Sequence, residues 1–245
     1  MFASRRIAAA NALAAILIVL LTGLAARAQA LSVLPVNILL SPGQRATTLV
    51  VTNQGTSETA VQVRAYAWSQ QDGEDRLTSS DAVMVSPPLA SIAPGASQVI
   101  RLILRRPPQD SEATYRILVD QIPPPAEPGI VHVVLRLSIP IFAQPLTRAV
   151  PHIEFHIENN AGQAYLVGTN DGLRHEAIRE IVLSTSDGRK LKEESSASPY
   201  ILAGSTRRWH ITAQDSLPLP SIPLRLTARG DAGVIEQQVP VVAKP

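Results

Sequence analysis

The sequence predicts an all-β protein built from two sandwich domains, and three observations lead there. Short apolar or alternating runs recur from residue 31 onward, separated by turn-forming residues, with almost no stretch of 3.6-residue periodicity. Hydrophobic residues make up 45% of the chain while aromatic residues make up only 4%, so Val, Leu, Ile and Ala must supply the packing, a usage that favours strands. At 245 residues the chain has room for two domains of about 100 residues each, an ordinary size for a sandwich.

Residues 1–30 stand apart from both domains. Arg5 and Arg6 precede the apolar run IAAANALAAILIVLLTGLAA, which ends at Ala28-Gln29-Ala30. This is the shape of a secretory signal peptide cleaved after Ala30, with small residues at the two positions a signal peptidase must accommodate. An uncleaved anchor is the alternative, since about 20 apolar residues can span a bilayer. Small residues dilute this run, however, and the cleavage site is well placed. After cleavage no stable membrane insertion is expected.

The first series of predicted strands is Leu31 to Leu40, Thr47 to Asn53, Ala60 to Trp68, Gln98 to Leu104, Tyr115 to Ile122 and Val131 to Ala143. Between them lie SPGQ, NQGTSE, QQDGED and APGA, which hold the Gly, Pro, Asn and Asp that turns require. Pro145 and Pro151 then bracket LTRAV. A second series follows at His152 to Ile157, Ala164 to Thr169, Ile178 to Thr185, Arg207 to Thr212, Leu224 to Ala228 and Val234 to Val242, with hairpin signals at Asn170-Asp171-Gly172 and Ser186-Asp187-Gly188. The expected domains are residues 31–146 and 147–245. So short a linker implies a fixed angle between them, with a cleft at the junction.

Charge and cysteine content exclude several functions. Removing the leader takes away Arg5, Arg6 and Arg27 and no acid, so 19 basic residues face 20 acidic ones and the formal charge of +2 becomes about −1. The sequence pI of about 9.2 is therefore partly the leader's. A nearly neutral domain without a Lys/Arg cluster offers no footprint for nucleic acid. With no cysteine there is no disulfide and no thiol nucleophile. His152 and His156 lie four apart, about 13 Å on a strand, too far to share a metal. Asp72, Asp171 and Asp187 each precede a glycine, where turn geometry accounts for them. No Gly-x-Ser-x-Gly, no His-Glu-x-x-His and no phosphate-cradling loop is present. Neither an enzyme nor a cofactor or metal site is expected.

One predicted strand stands out. Val131, Val133, Leu135, Leu137 and Ile139 alternate on one face, and His132, Val134, Arg136 and Ser138 on the other. An ordinary core strand has the same pattern. The preceding Pro123-Pro124-Pro125-Ala126-Glu127-Pro128-Gly129 cannot pair as a strand, however, and an edge strand beside such a loop can extend onto a partner.

Several segments in order carry a family resemblance. They are SPGQRATTLVVTN (41–53), Tyr66-Ala67-Trp68, SPPLASIAPGASQVIRL (86–102), YRILVDQIPPP (115–125), LRLSIPIFAQP (135–145) and, more weakly, YILAGSTRRW (200–209). Together they resemble the PapD-like periplasmic chaperones of pilus and fimbrial assembly. The resemblance implies two immunoglobulin-like sandwiches and a periplasmic location. It also implies donor-strand complementation, in which the chaperone lends the last strand of its first domain to an incomplete subunit and delivers it to an outer-membrane usher. Carried over by position, the donor residues are Val131, Val133, Leu135 and Leu137, with Ile139 continuing the face. Self-capping of the free protein in an oligomer is a further expectation from an unpaired donor strand. The rival class is an exported immunoglobulin-like structural or adhesive envelope protein.

The chain departs from the family's pattern in two places. The resemblance implies an arginine and a lysine in the cleft that grip the subunit's terminal carboxylate, but Asn37 and Pro140 stand at those positions. Candidate substitute anchors are Arg136 and Arg116, each of which also reads as a solvated surface charge, as do Arg101, Arg105 and Arg106. The family's interdomain ion pair is likewise replaced, by Gln121 and Gln144, and two amides are expected to hydrogen-bond there instead.

Overall fold

The computed structural model describes residues 31–125, 129, 133–160, 163–193, 198–213 and 223–243. The expected signal peptide and its cleavage site therefore lie outside the described residues. Among the described residues there is no helix. The first ten strands are β1 (Leu31–Leu34), β2 (Ile38–Leu40), β3 (Ala46–Asn53), β4 (Thr59–Gln71), β5 (Glu74–Ser79), β6 (Val83–Ser86), β7 (Leu89–Ile92), β8 (Ser97–Leu104), β9 (Ala113–Ile122) and β10 (Arg136–Ala143). They form two facing sheets, one in the order β1-β3-β8-β6 and one in the order β2-β10-β9-β4-β5, with β7 also on β4.

Alternation builds this sandwich. In β3 the side chains of Leu49, Val51 and Asn53 are buried while those between them reach the surface, and β8 matches it with Ile100, Leu102 and Leu104. Ile117, Val119, Ile139 and Ile141 close the core from the other sheet. Where β3 ends, buried Asn53 folds the NQG turn: its Oδ1 accepts from Gly55 N at 2.9 Å, and its Nδ2 donates to Ser57 O and Ile92 O. The expected strand Leu31 to Leu40 is two strands. Pro35, which has no N–H, falls in the gap, and β1 and β2 join different sheets.

The second sandwich comprises β11 (Ile153–Asn160), β12 (Gln163–Asn170), β13 (Glu176–Ala177), β14 (Arg179–Ser184), β15 (Lys190–Glu193), β16 (Tyr200–Ile201), β17 (Ser205–Ala213), β18 (Leu224–Gly230), β19 (Gly233–Val239) and β20 (Val241–Ala243). Its core gathers Phe155, Ile157, Leu166, Ile178, Leu183, Trp209 and Leu226. Gly168 in β12 has a packing reason, since a Cβ there would lie 2.8 Å from Ile201 Cδ1 and 2.9 Å from Phe155 Cε1. The Ser186-Asp187-Gly188 hairpin joins β14 to β15. Asn170-Asp171-Gly172 is not a hairpin, because β12 pairs with β11 and β17 and the chain leaves for β13 in the small sheet with β16. Asn170 serves instead as Asn53 does, accepting from Gly172 N and donating to Arg174 O and Ile201 O.

Candidate functional site

β10 holds the residues singled out above, and its register decides which of its backbone groups are free. It runs antiparallel to β9 from Arg136 opposite Asp120 to Ala143 opposite Ala113, and Pro140 faces Arg116. Proline has no N–H, so that pair is of the non-hydrogen-bonded kind. Odd-numbered residues therefore exchange bonds with β9, and even-numbered ones turn their N–H and C=O the other way. On that other side β2 runs parallel to β10 but covers only Ile141 to Ala143. Among the described residues no strand lies along β10 before Pro140, so Arg136 and Ser138 present their main chain at an open edge.

The apolar face grades from free to buried along this edge. Val133 is 83% exposed, Leu135 and Leu137 are half-buried against the rim of the first core, and Ile139 is inside it at 3%. Val131 lies outside the described residues. The strand begins at Arg136 rather than at Val131, and residues 133–135 are unpaired as strand. The register gives a reason: the next hydrogen-bonded pair would set Val133 against Pro123, which has no donor.

The two candidate anchors have different surroundings. Arg136 forms an ion pair with Asp120, which also accepts from Arg64 at 2.6 Å. Burial pushes the Asp120 carboxyl up, but hydrogen bonds from Arg136 and Arg64 more than offset this and hold its pKa below the ordinary value. Arg116 lies on the cleft-facing side of β9. Its guanidinium stacks 3.7 Å over the Trp68 ring, 3.4 Å from Ser198 Oγ and 3.8 Å from Asp75 Oδ2. Burial pushes the pKa of Arg116 down. Asn37 is exposed and immediately precedes β2, whose Ile38 pairs with Ile141, so Asn37, Pro140 and Arg116 fall in one row across three strands. Of the two candidates, only Arg116 shares that row.

The cleft between the sandwiches has a floor that sequence reasoning did not identify. Trp68, Phe142 and Leu202 are buried together, with Tyr200 against them. Asp75 Oδ1 accepts from Arg207 Nη1 at 3.1 Å and from Gln70 Nε2 at 2.9 Å. Gln70 also donates to Tyr200 O and accepts from Leu202 N. The β4–β5 turn reaches the second domain, where Gly73 bridges to Arg207. Farther along the junction His175 stacks on Phe142 at 3.5 Å, and its Nδ1 lies 2.5 Å from Glu112 Oε1. The expected Gln121–Gln144 contact is not made. Gln121 Oε1 accepts from Leu135 N at 3.3 Å, and Gln144 bonds through its main chain to Leu40. One signal was available in the sequence: of only nine aromatic residues, three sit at this seam.

Comparisons with known proteins bear on the fold. Residues 30–149 match the family model described as pili and flagellar-assembly chaperone, PapD N-terminal domain. No curated protein sequence matches the chain. Among solved structures, it resembles a chain of the CsuC–CsuE chaperone–tip adhesion subunit pre-assembly complex from the archaic chaperone-usher Csu pili of Acinetobacter baumannii. That match has 21% identity and a TM-score of 0.63, over 88% of this chain and 100% of that one. A chain of the Salmonella enterica SafA pilin–SafB chaperone complex matches at 13% identity and a TM-score of 0.60, covering 88% and 99%. The Escherichia coli chaperone DraB matches at 20% identity and a TM-score of 0.55, covering 88% and 97%. These neighbours share the fold of two immunoglobulin-like sandwiches, and the sequence signature of the first sandwich names its lineage. Its first sandwich belongs to the PapD-like family of pilus-assembly chaperones, and the chain as a whole has the two-sandwich fold of the solved chaperones it resembles.

Proposed function

We propose that this protein is a periplasmic chaperone that holds pilus or fimbrial subunits by lending them the free edge of β10, and that it passes them to an outer-membrane usher. The observation that carries this is the open main-chain edge at Arg136 and Ser138, flanked by an apolar face running from exposed Val133 to half-buried Leu137. Structural neighbours come from chaperone complexes, among them one with a pilin and one with a tip subunit. The leader at residues 1–30 would bring the chain to the periplasm. The two sandwiches, residues 31–146 and 147–245, would flank the bound subunit.

Val131, Val133, Leu135 and Leu137 fill the subunit's groove, and Ile139 roots the strand in its own core. Fully burying four such side chains contributes roughly 6–12 kcal/mol gross. Leu135 and Leu137 are already half-buried, so the gain falls toward the lower figure. Ordering the segment and joining two bodies offset much of it, which suits a complex that must be handed on. Arg116 takes the carboxylate-anchoring role that Asn37 and Pro140 cannot fill. It is a charged donor in the row those residues share.

The test is periplasmic co-expression with the pilin encoded beside this chain. Wild type should yield a soluble one-to-one complex, and the Leu135→Glu, Leu137→Glu double variant should not. Because both leucines touch the chaperone's own core, Val133→Glu provides a variant whose folding is not at risk, and it should weaken the complex as well. If both variants hold the pilin as wild type does, the donor-strand assignment fails. An exported envelope scaffold then becomes the better account.

A further inference from the structure

At the point where β10 leaves its sheet, a buried side chain stands in for the backbone. Gln121 and Leu135 are opposite one another in the β9–β10 register, one step beyond the last paired residues, Asp120 and Arg136. Gln121 N donates to Leu135 O at 2.9 Å, as a ladder pair requires. The return bond does not follow the ladder. Leu135 N donates to Gln121 Oε1, at 3.3 Å, so a side-chain amide oxygen takes the place of the main-chain carbonyl. The next bonded pair would need a donor from Pro123, which has none. The ladder therefore ends at residue 135 for two separate reasons, and two residues further on Val133 is 83% exposed.

We propose that Gln121 is a positioning residue. Its buried side chain captures the Leu135 amide and so fixes the residue at which the donor segment parts from its home sheet. This rests on the reading of that segment as the strand lent to a subunit, and it adds what sets the strand's starting register. A segment parting one residue earlier or later shifts which apolar side chains enter which pockets, because side chains alternate along a strand. Gln121 occupies the position where the family resemblance implies a charge for domain contact. In this chain the residue faces the donor strand instead.

Amide hydrogen exchange on the free protein tests the proposal without any partner. Gln121→Leu should accelerate exchange at the Leu135 amide about five-fold, the loss of one ordinary hydrogen bond, while leaving the Ile139 amide unchanged. Gln121→Glu keeps an acceptor oxygen and should retain the protection. Unchanged or slower exchange at Leu135 in Gln121→Leu overturns the proposal. So does equal loss of protection in both variants, since that marks a packing role. Exchange needs no subunit, so its outcome is separable from the chaperone reading: if Leu135 responds as expected but wild type holds no pilin, the chaperone reading falls. Where wild type does hold pilin, the Gln121→Leu complex should dissociate several-fold faster, and an unchanged rate overturns the link between Gln121 and the lent register.

Discussion

Asp120 joins two arginines from two different strands, Arg64 on β4 and Arg136 at the start of β10, and so ties the root of β10 to the middle of its sheet. Its folded pKa is depressed below the ordinary 3.8. The stability it contributes is therefore fully present above about pH 4 and is lost as pH falls through the depressed folded value. Both arginine side chains are well exposed, at 40% and 63%, so solvent screening limits the effect. Asp120→Asn should lower stability by about 1 kcal/mol at neutral pH in urea titration. The gap to wild type should narrow on acidification. A gap that widens in acid contradicts the assignment.

At the scale of elements, β10 is one strand with two environments. Ile139→Ala removes a side chain from the closed core and should cost about 2–5 kcal/mol. Val133→Ala, six residues earlier on the same face, should cost under about 0.5 kcal/mol, because nothing in the free protein buries that valine. Chemical denaturation of both variants distinguishes a graded strand from a uniformly packed one. Strands whose burial alternates, such as β3 and β8, were legible in the sequence. β5 (EDRLTS) was not, because it is mostly exposed and carries no apolar stripe. β13 and β16 are two residues each, too short for any period to register. At the site, the alternating face from residue 133 to 139 could be read from the sequence. Its grading could not, because the rim of the core is set by which facing residues reach it.

In the whole molecule, two sandwiches meet over an aromatic seam with polar ties on either side. Leu202→Ala removes the second domain's contribution to the buried trio with Trp68 and Phe142. It should cost about 2–5 kcal/mol and separate one calorimetric transition into two, as domains that melt independently do. A single transition displaced to lower temperature instead places Leu202 in the second core rather than at the seam. The two-sandwich fold could be anticipated from strand rhythm, whereas the contacts that join the sandwiches could not. Glu112 and His175, or Gln70 and Leu202, come from runs separated by 63 and 132 residues, and nothing local in either run announces its partner.

Pro140 has a role beyond replacing a lysine. Its missing N–H points toward the edge that a guest strand would occupy, and immediately after it that edge is already taken by β2. On that reading a guest zipping along β10 from its N-terminal end would find bonding groups at Arg136 and Ser138 and then meet a residue without a donor, followed by an occupied lane. On the proposed reading, β10 thus carries a built-in stop that would bound how much of a subunit it can grasp and keep the hold short enough to be undone.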